Sequence, residues 1–334
     1  MDIVINLNKP KDISSQQAVI KVKQLLATRK AGHAGTLDPI ATGVLIVCLN
    51  EATKITRFLS DLDKEYIVRL KLGERTDTYD LTGRTVEKTD CLSLKEADIH
   101  QILNNFVGRI KQIPPMYSAI KIGGQPLYKL ARRGIDIKIP EKTINIYGIE
   151  LIGFDQPYLD LKISCSKGTY IRTLCDDIGK ALSVGAHMVF LERTRVGSFR
   201  IEDSISIEEL KNKKTTYHSI DSAISHLNEI ILDEDSYKKA RNGMSIIINN
   251  ETVMIHNDIK GIETLTSLQL TMNGKNRVRR PDTTPHMGID RSPDLSIEGS
   301  SEQGIFINQY VRLKDPENKL FGIGRIESNR IKIE

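Results

Sequence analysis

The chain has 334 residues, a formal net charge of +5, 39% apolar and 27% charged residues. This suits a soluble globular protein with one large domain and a smaller one, and the mild basicity permits a polyanionic partner without demanding one. Four scattered cysteines without C-x-x-C spacing argue against a zinc or redox motif and fit a reducing compartment. With no signal-peptide layout in MDIVINLNKP and no apolar run near the roughly 20 residues that span a bilayer, a cytoplasmic protein without membrane contact is expected.

In chain order, residues 3–7 alternate apolar and polar and predict a first strand. Lys9-Pro10 turns the chain. Ser14 or Ser15 is placed to cap a helix whose apolar face is Ala18, Val22, Leu25 and Leu26. Residues 30–49, KAGHAGTLDPIATGVLIVCL, follow. Pro39 forces Asp38 into extended backbone, so Asp38 stands on a loop, while residues 44–49 read as a buried strand. Two roles are open to Asp38 on this pattern: hydrogen bonding within a turn, or chemistry from a loop fixed to the core. His33 lies in the same loop. The glycines there match neither phosphate-binding fingerprint.

Residues 51–59 predict a second helix, and residues 64–72 are the clearest strand. Tyr66, Val68, Leu70 and Leu72 share one face of that strand, with Arg69 and Lys71 on the other. Tyr66 reads as a core or sheet-face aromatic on this pattern. Residues 74–87 are polar and turn-rich, fitting a hairpin or loop. Ser93 and Glu96 predict a capping box for a helix ending near Phe106. Residues 112–147 contain two prolines and two glycines in pairs and a short helical piece at 127–133. Between Lys121 and Lys142 there are six basic residues, among them Lys129, Arg132 and Arg133, against two acidic ones, interleaved with tyrosine. Such a segment suits RNA contact, since phosphates take the charge and bases stack on rings; a solvated surface excursion is the alternative.

Residues 159–165 form a strand, and residues 166–182 a helix whose core face is Ile171, Leu174, Cys175, Ile178 and Leu182. Tyr170 and Arg172 lie in its first turn. The helix dipole disfavours a cation there, so Arg172 either has a specific anionic partner or forms an ordinary surface ion pair. Residues 186–199 read as a bent strand containing Leu191. Ser206 and Glu209 predict a further capping box. From about Asn228 the character changes to a charged helix, 233–241, ended by Gly243, and short strands at 245–248, 253–256, 304–313, 320–326 and 330–333. Between them, residues 265–303 are rich in Ser, Thr, Pro, Gly and Asn and hold the basic run 275–280, a composition typical of disorder.

GHAGTLDPIATGVLIVCLNEATKIT resembles the catalytic motif of the tRNA pseudouridine synthase B (TruB) family, whose members isomerise uridine 55 in the T-loop of tRNA. The K-x-Y strand at Lys64–Tyr66, the PPMYSA…K…G…PLY…AR…G stretch, C-S-x-G-T-Y-I-R and AHMVFLERTRVGSF resemble further family motifs. The resemblance covers residues 9–199 strongly and the remainder loosely, mostly V-R-L…G-I-G. It implies an α/β (α+β) fold with a largely antiparallel central sheet, a catalytic domain over 1–227 with a basic thumb at about 112–147, and a β-rich PUA-like RNA-binding domain over 228–334. The family pattern has no insertion like 265–303.

By the same resemblance Asp38 is the catalytic carboxylate, Arg172 pairs with it, and Tyr66 packs on the target base and assists. His33, Tyr170 and Leu191 contact the flipped nucleotide, and Lys129, Arg132 and Arg133 belong to the thumb that closes over the T-loop and T-stem. No metal, no cofactor and no protein partner is implied, and the expected state is a monomer. Two rivals are a non-catalytic RNA-binding protein and an RNA-guided relative. Intact Asp38, Tyr66 and Arg172 oppose the first, and the basic thumb opposes the second.

Overall fold

Strand-forming runs dominate the first part of the chain, and they assemble around one long, mixed sheet. The computed structural model describes residues 1–91, 94–118, 120–131, 133–135, 137–212, 217–247, 253–256, 309–328 and 330–334, without the side chains of 121, 122, 126, 128 and 253–256. They form two units, Met1–Ile224 and Ser225–Glu334.

In the first unit β1 (Ile3–Lys9) and α1 (Ser15–Leu25) lead to β2 (Ala31–His33) and β3 (Thr42–Leu49). A 3-10 stretch, Asn50–Ile55, and α2 (Thr56–Ser60) precede β4 (Lys64–Leu72) and a hairpin of β5 (Glu74–Thr76) and β6 (Thr85–Lys88). Next come α3 (Glu96–Asn104), β7 (Gly108–Gln112), a small hairpin of β8 (Lys121–Ile122) and β9 (Gln125–Pro126), and α4 (Leu127–Ala131). The long hairpin of β10 (Lys142–Asp155) and β11 (Tyr158–Cys165) follows, then α5 (Ile171–Ala181) and β12 (Ala186–Val196). The unit closes with β13 (Phe199–Arg200), α6 (Ile207–Lys211), β14 (His218–Ser219) and α7 (Ile220–Ala223).

The sheet order is β14-β1-β3-β12-β4-β11-β10-β7, with β13 on β12 and β2 on β3. Among these pairings β3–β12 is parallel, and the others are antiparallel. The fold is thus the mixed, largely antiparallel α/β architecture expected. The alternation in β4 buries Tyr66, Val68, Leu70 and Leu72 with Leu161 and Ile163 of β11 and Met188 and Leu191 of β12, and Leu174, Cys175 and Ile178 of α5 belong to the same core. Each large aliphatic chain buried there contributes about 1.5–3 kcal/mol. On the other face Arg69 forks onto Asp160 at 2.7 Å through two nitrogens, an exposed pair that contributes little.

Ser14 caps α1 and forms a capping box with Gln17, which leaves Ser15 for another task. Leu25 is 40% exposed, contrary to expectation, because it falls at the margin of a stripe centred on Ser15, Val19, Val22 and Leu26. The helix predicted over 51–59 is split into a 3-10 and an α segment. The Thr53, Thr56 and Ser60 hydroxyls donate to carbonyls three or four residues back, competing with the regular ladder. Helix α3 starts at Lys95 with no side-chain cap; Ser93 lies outside the described residues. The Ser206–Glu209 capping box is present on α6.

The second unit contains β15 (Glu229–Leu232), α8 (Glu234–Arg241), β16 (Ile246–Ile247), β17 (Val253–His256), β18 (Tyr310–Lys314), β19 (Leu320–Glu327) and β20 (Arg330–Ile333). Its sheet runs β16-β20-β19-β18-β15-β17, around Ile230, Leu232, Ala240, Ile246, Val311, Leu313, Ile326 and Ile331. Asp233 caps α8 by accepting from the Ser236 N–H at 2.7 Å, and Gly243, at φ 71°, follows its end. The predicted insertion, with its basic run, lies outside the described residues, as does the strand predicted over 304–313 up to residue 308.

Gly43 is the tightest point of the main sheet. Its φ is +98°, and a Cβ there would stand 2.3 Å from the Arg193 carbonyl oxygen. Gly43→Ala is therefore expected to cost about 2–4 kcal/mol, read as a lower urea midpoint with an unchanged slope; an unchanged midpoint would contradict this packing.

Candidate active site

The loop between β2 and β3 carries Asp38, and its backbone is pinned from several sides. The Ser15 hydroxyl donates to the Leu37 carbonyl at 3.0 Å and accepts from the Leu37 N–H at 2.8 Å. The Pro39 carbonyl accepts from the Asp12 N–H at 2.8 Å and, at 3.4 Å, from the ammonium of Lys9. That ammonium also donates to the carbonyls of Pro10 and Ile13 at 2.8 Å. Lys9 is fully buried, and burial lowers its pKa to about 8, opposed by the charges of Asp38 and Asp12.

Arg172 reaches this loop from the first turn of α5. Tyr170 sits at the N-cap with extended backbone, and the Gln112 amide clamps it there, donating to its carbonyl at 3.0 Å and accepting from its N–H at 2.8 Å. The guanidinium then turns inward. Nε lies 2.8 Å from Asp38 Oδ2, and Nη2 donates to Oδ1 at 3.2 Å, the fork geometry that suits a carboxylate. Nη2 also donates to the Tyr117 carbonyl at 2.9 Å, and Nη1 to the Thr78 carbonyl at 3.3 Å and to Asp80 Oδ2 at 3.4 Å. So Arg172 has the specific anionic partner that its position called for, and it has two.

Asp80 was not singled out in the sequence. It lies in the turn of the β5–β6 hairpin, 5% exposed, and its Oδ1 accepts from the Thr78 hydroxyl at 2.8 Å, the Thr82 N–H at 2.9 Å and the Thr82 hydroxyl at 2.6 Å. The pattern T-Y-D-L-T is legible as a turn built on Asp and Thr side chains. Nothing local says that the turn is buried against a helix from the other half of the unit.

Burial pushes the Asp38 carboxyl above its ordinary value; Arg172 opposes that push, Asp80 adds to it, and Lys9 weakly opposes it. About a third of the Asp38 side chain remains open to solvent. Tyr66 pairs with Arg193 of β12 and Ile163 of β11. Burial raises its phenol pKa, Arg193 opposes this, and Asp38 lies close enough for its charge to add to the rise. The hydroxyl is therefore protonated at neutral pH. The His33 imidazole is lowered by burial and then by the charge of Arg193, so it is neutral, and its Nδ1 is buried without a hydrogen-bond partner among the described residues.

The structure thus brings Asp38, Arg172 and Tyr66 together, with Tyr170 near enough for its phenol to feel Arg172 and Asp38. Leu191 is buried in the core that includes Tyr66. Lys129 and Arg133 are exposed on the 113–141 excursion and make no ion pair among the described residues; Arg132 lies outside them. Among the described residues no group of three or more His, Cys, Asp or Glu side chains is placed to hold a metal ion. The arrangement offers an oriented carboxylate oxygen, kept anionic by a shared guanidinium, and a phenolic proton beside it. That pairing serves nucleophilic or base chemistry with assisted proton transfer.

Two family models match the chain: the TruB family pseudouridylate synthase N-terminal domain over residues 23–171 and the tRNA pseudouridylate synthase B C-terminal domain over residues 172–237. The chain is 45% identical over 248 residues to tRNA pseudouridine synthase B of Clostridium tetani, covering 74% of this chain and 86% of that protein. It is 45% identical over 235 residues to the protein of the same name from Francisella philomiragia, covering 70% and 77%. Among solved structures it is similar to one in a Cbf5–Nop10–Gar1 complex, with a TM-score of 0.67 and 23% identity over 99% of this chain and 84% of that one. At that identity the likeness is one of fold.

Asp80→Asn removes one negative charge that raises the Asp38 carboxyl. Asp38 should then release its proton at lower pH than in the unaltered chain, read as a downward shift of its carboxyl 13C titration. A shift upward, or none, would contradict the electrostatic coupling of the two acids through Arg172.

Proposed function

Because the chain belongs to the TruB family of pseudouridylate synthases, we propose that it converts uridine 55 in the T-loop of tRNA to pseudouridine, with Asp38 as the catalytic carboxylate. The observation that carries this reading is the two-pronged grip of Arg172 on Asp38 at 2.8 and 3.2 Å, in a loop that matches the family's catalytic motif. The names of the relatives, each a tRNA pseudouridine synthase B, support tRNA as the substrate.

The reaction cleaves the N1–C1′ bond, turns the uracil, and forms a C5–C1′ bond while the C5 proton leaves. Bonds made and broken balance without oxidant or reductant, so the chemistry calls for no redox cofactor. A base inside a stack cannot turn, so the nucleotide is flipped into the pocket. There Asp38 supplies the anionic oxygen that initiates cleavage. Burial alone would tend to protonate that oxygen, and Arg172 offsets the tendency. Tyr66 lies against the base and assists proton transfer. Tyr170 and Leu191 line the pocket, and His33, neutral and short of one hydrogen-bond partner, occupies the space beside the displaced bases. Lys129, Arg132 and Arg133 of the thumb take tRNA phosphates, the β-rich second unit adds RNA contact, and the chain works in the cytoplasm as a monomer without a protein partner.

Purified protein incubated with unmodified tRNA alone is expected to form pseudouridine at that one position, mapped by chemical probing. No product without an added guide RNA or protein would favour the RNA-guided alternative. Asp38→Asn keeps hydrogen-bonding capacity but has no anionic oxygen, so it should bind tRNA with near-normal affinity, melt near the unaltered temperature and form no pseudouridine. Residual isomerisation at a tenth of the normal rate or more, about 1.4 kcal/mol of barrier or less, would sink the assignment.

Replacing Arg132 and Arg133 together by alanine should weaken tRNA binding and flatten its salt dependence by about two units at most, with the rate at saturating tRNA retained. An unchanged salt slope would mean that both side chains merely face solvent.

A further inference from the structure

Arg193 is the largest fully buried side chain in the structure, 1% exposed, and among the described residues no carboxylate pairs with it. A guanidinium stays charged in a protein, and burying it without a counter-ion is unfavourable compared with an apolar side chain of similar size. Its contacts show where the charge is directed. Nε donates to the Val44 carbonyl at 2.7 Å and Nη2 to the Gly35 carbonyl at 3.1 Å. These two carbonyls bracket the segment that carries Asp38. The guanidinium also makes a side-chain hydrogen bond with Tyr66, the residue opposite it in the β4–β12 register. On its other side Arg193 pairs with Gly43 in the parallel register of β3 and β12. One side chain is therefore tied to both ends of the catalytic loop and to the phenol.

The donor inventory fixes the direction of the third contact. A guanidinium has N–H donors and no acceptor, so the Tyr66 oxygen accepts from it. The single phenolic proton is then free to point away from Arg193, toward the side where Asp38 lies. Resting on the reading above that Asp38 and Tyr66 act on the substrate, we propose that Arg193 is a positioning residue: it aims the Tyr66 hydroxyl as a hydrogen-bond donor into the pocket and locks that aim to the loop carrying Asp38. Lysine would keep the charge but not the fork that spans Gly35, Val44 and Tyr66 at once.

The test uses Arg193→Gln in the full chain labelled with [Cζ-13C]tyrosine, the Tyr66 resonance being assigned by its loss in Tyr66→Phe. In the variant the Tyr66 resonance should move and the phenol should titrate at higher pH, since a group that favours its ionised form is gone. The Cys165 thiol and Asp38 carboxyl, which also influence this phenol, are unchanged. At saturating tRNA the single-turnover rate should fall about 100-fold, as expected for a small misplacement of a reacting group, with tRNA affinity held within about threefold. A Tyr66 resonance and titration that stay put would overturn the proposal, as would a loss confined to melting temperature and tRNA affinity. If the glutamine variant does not fold, Arg193→Lys serves for both measurements, and an unmoved Tyr66 resonance there is equally decisive. The resonance reads the contact without turnover, so its failure is distinguishable from failure of the catalytic assignment, which Asp38→Asn tests alone.

Discussion

A planar cation shared by two carboxylates holds the site together. Arg172 divides its nitrogens between Asp38 and Asp80 and gives what is left to the carbonyls of Thr78 and Tyr117. Four stretches of chain distant in sequence thus converge on one guanidinium: the β2–β3 loop, the β5–β6 turn, the start of the thumb excursion and α5. An ammonium could balance the charge but could not span these directions, because it lacks the fixed fork. The same group resolves the conflict between burying a carboxylate and keeping it ionised.

Three more cations lie buried around that site. Lys9, Lys64 and Arg193 are all under 9% exposed, and burial lowers the first two to about 8. Each is directed largely at backbone carbonyls. Lys9 gathers those of Pro10, Ile13 and Pro39, Lys64 those of Ser60 and Leu62, and Arg193 those of Gly35 and Val44. Loop carbonyls that no sheet partner satisfies would otherwise be costly to bury. The cations satisfy them and leave the interior beside Asp38 positively biased, a field that favours the anionic form of any oxygen placed there.

How legible this was depended on whether a residue's role is written in its neighbours along the chain. Pro39 after Asp38, the alternation through Tyr66 and the helical face around Ile171 are local patterns, and the strands, the loop and α5 follow from them. The odd position of Arg172, a cation at a helix start, signalled a partner, and the structure supplies Asp38. Asp80 and Arg193 were missed for the opposite reason. Asp80 reads as an ordinary turn residue among threonines, and Arg193 as one more charge in E-R-T-R; burial alone distinguishes them, and burial is decided by strands from elsewhere in the chain. Leu25 erred the other way, a good apolar position left at the margin of its stripe.

The parallel seam between β3 and β12 bears on how the molecule is made. Thr42 and Glu192, hydrogen-bonded across it at 3.3 Å, are 150 residues apart in the chain. Strand β12 also lies between β3 and β4 in the sheet, so until it arrives those two strands keep open edges toward one another. Contacts this distant are slow to form, because the entropy of closing the intervening loop must be met first. Exposed strand edges are, in the meantime, templates for wrong pairing. A growing polypeptide therefore reaches residue 182 with Asp38, Tyr66 and Arg172 all synthesised and the middle of its sheet still missing. Arrival of β12 closes the gap and seats Arg193 in the same step, so a working site is also a signal that the first unit has finished folding.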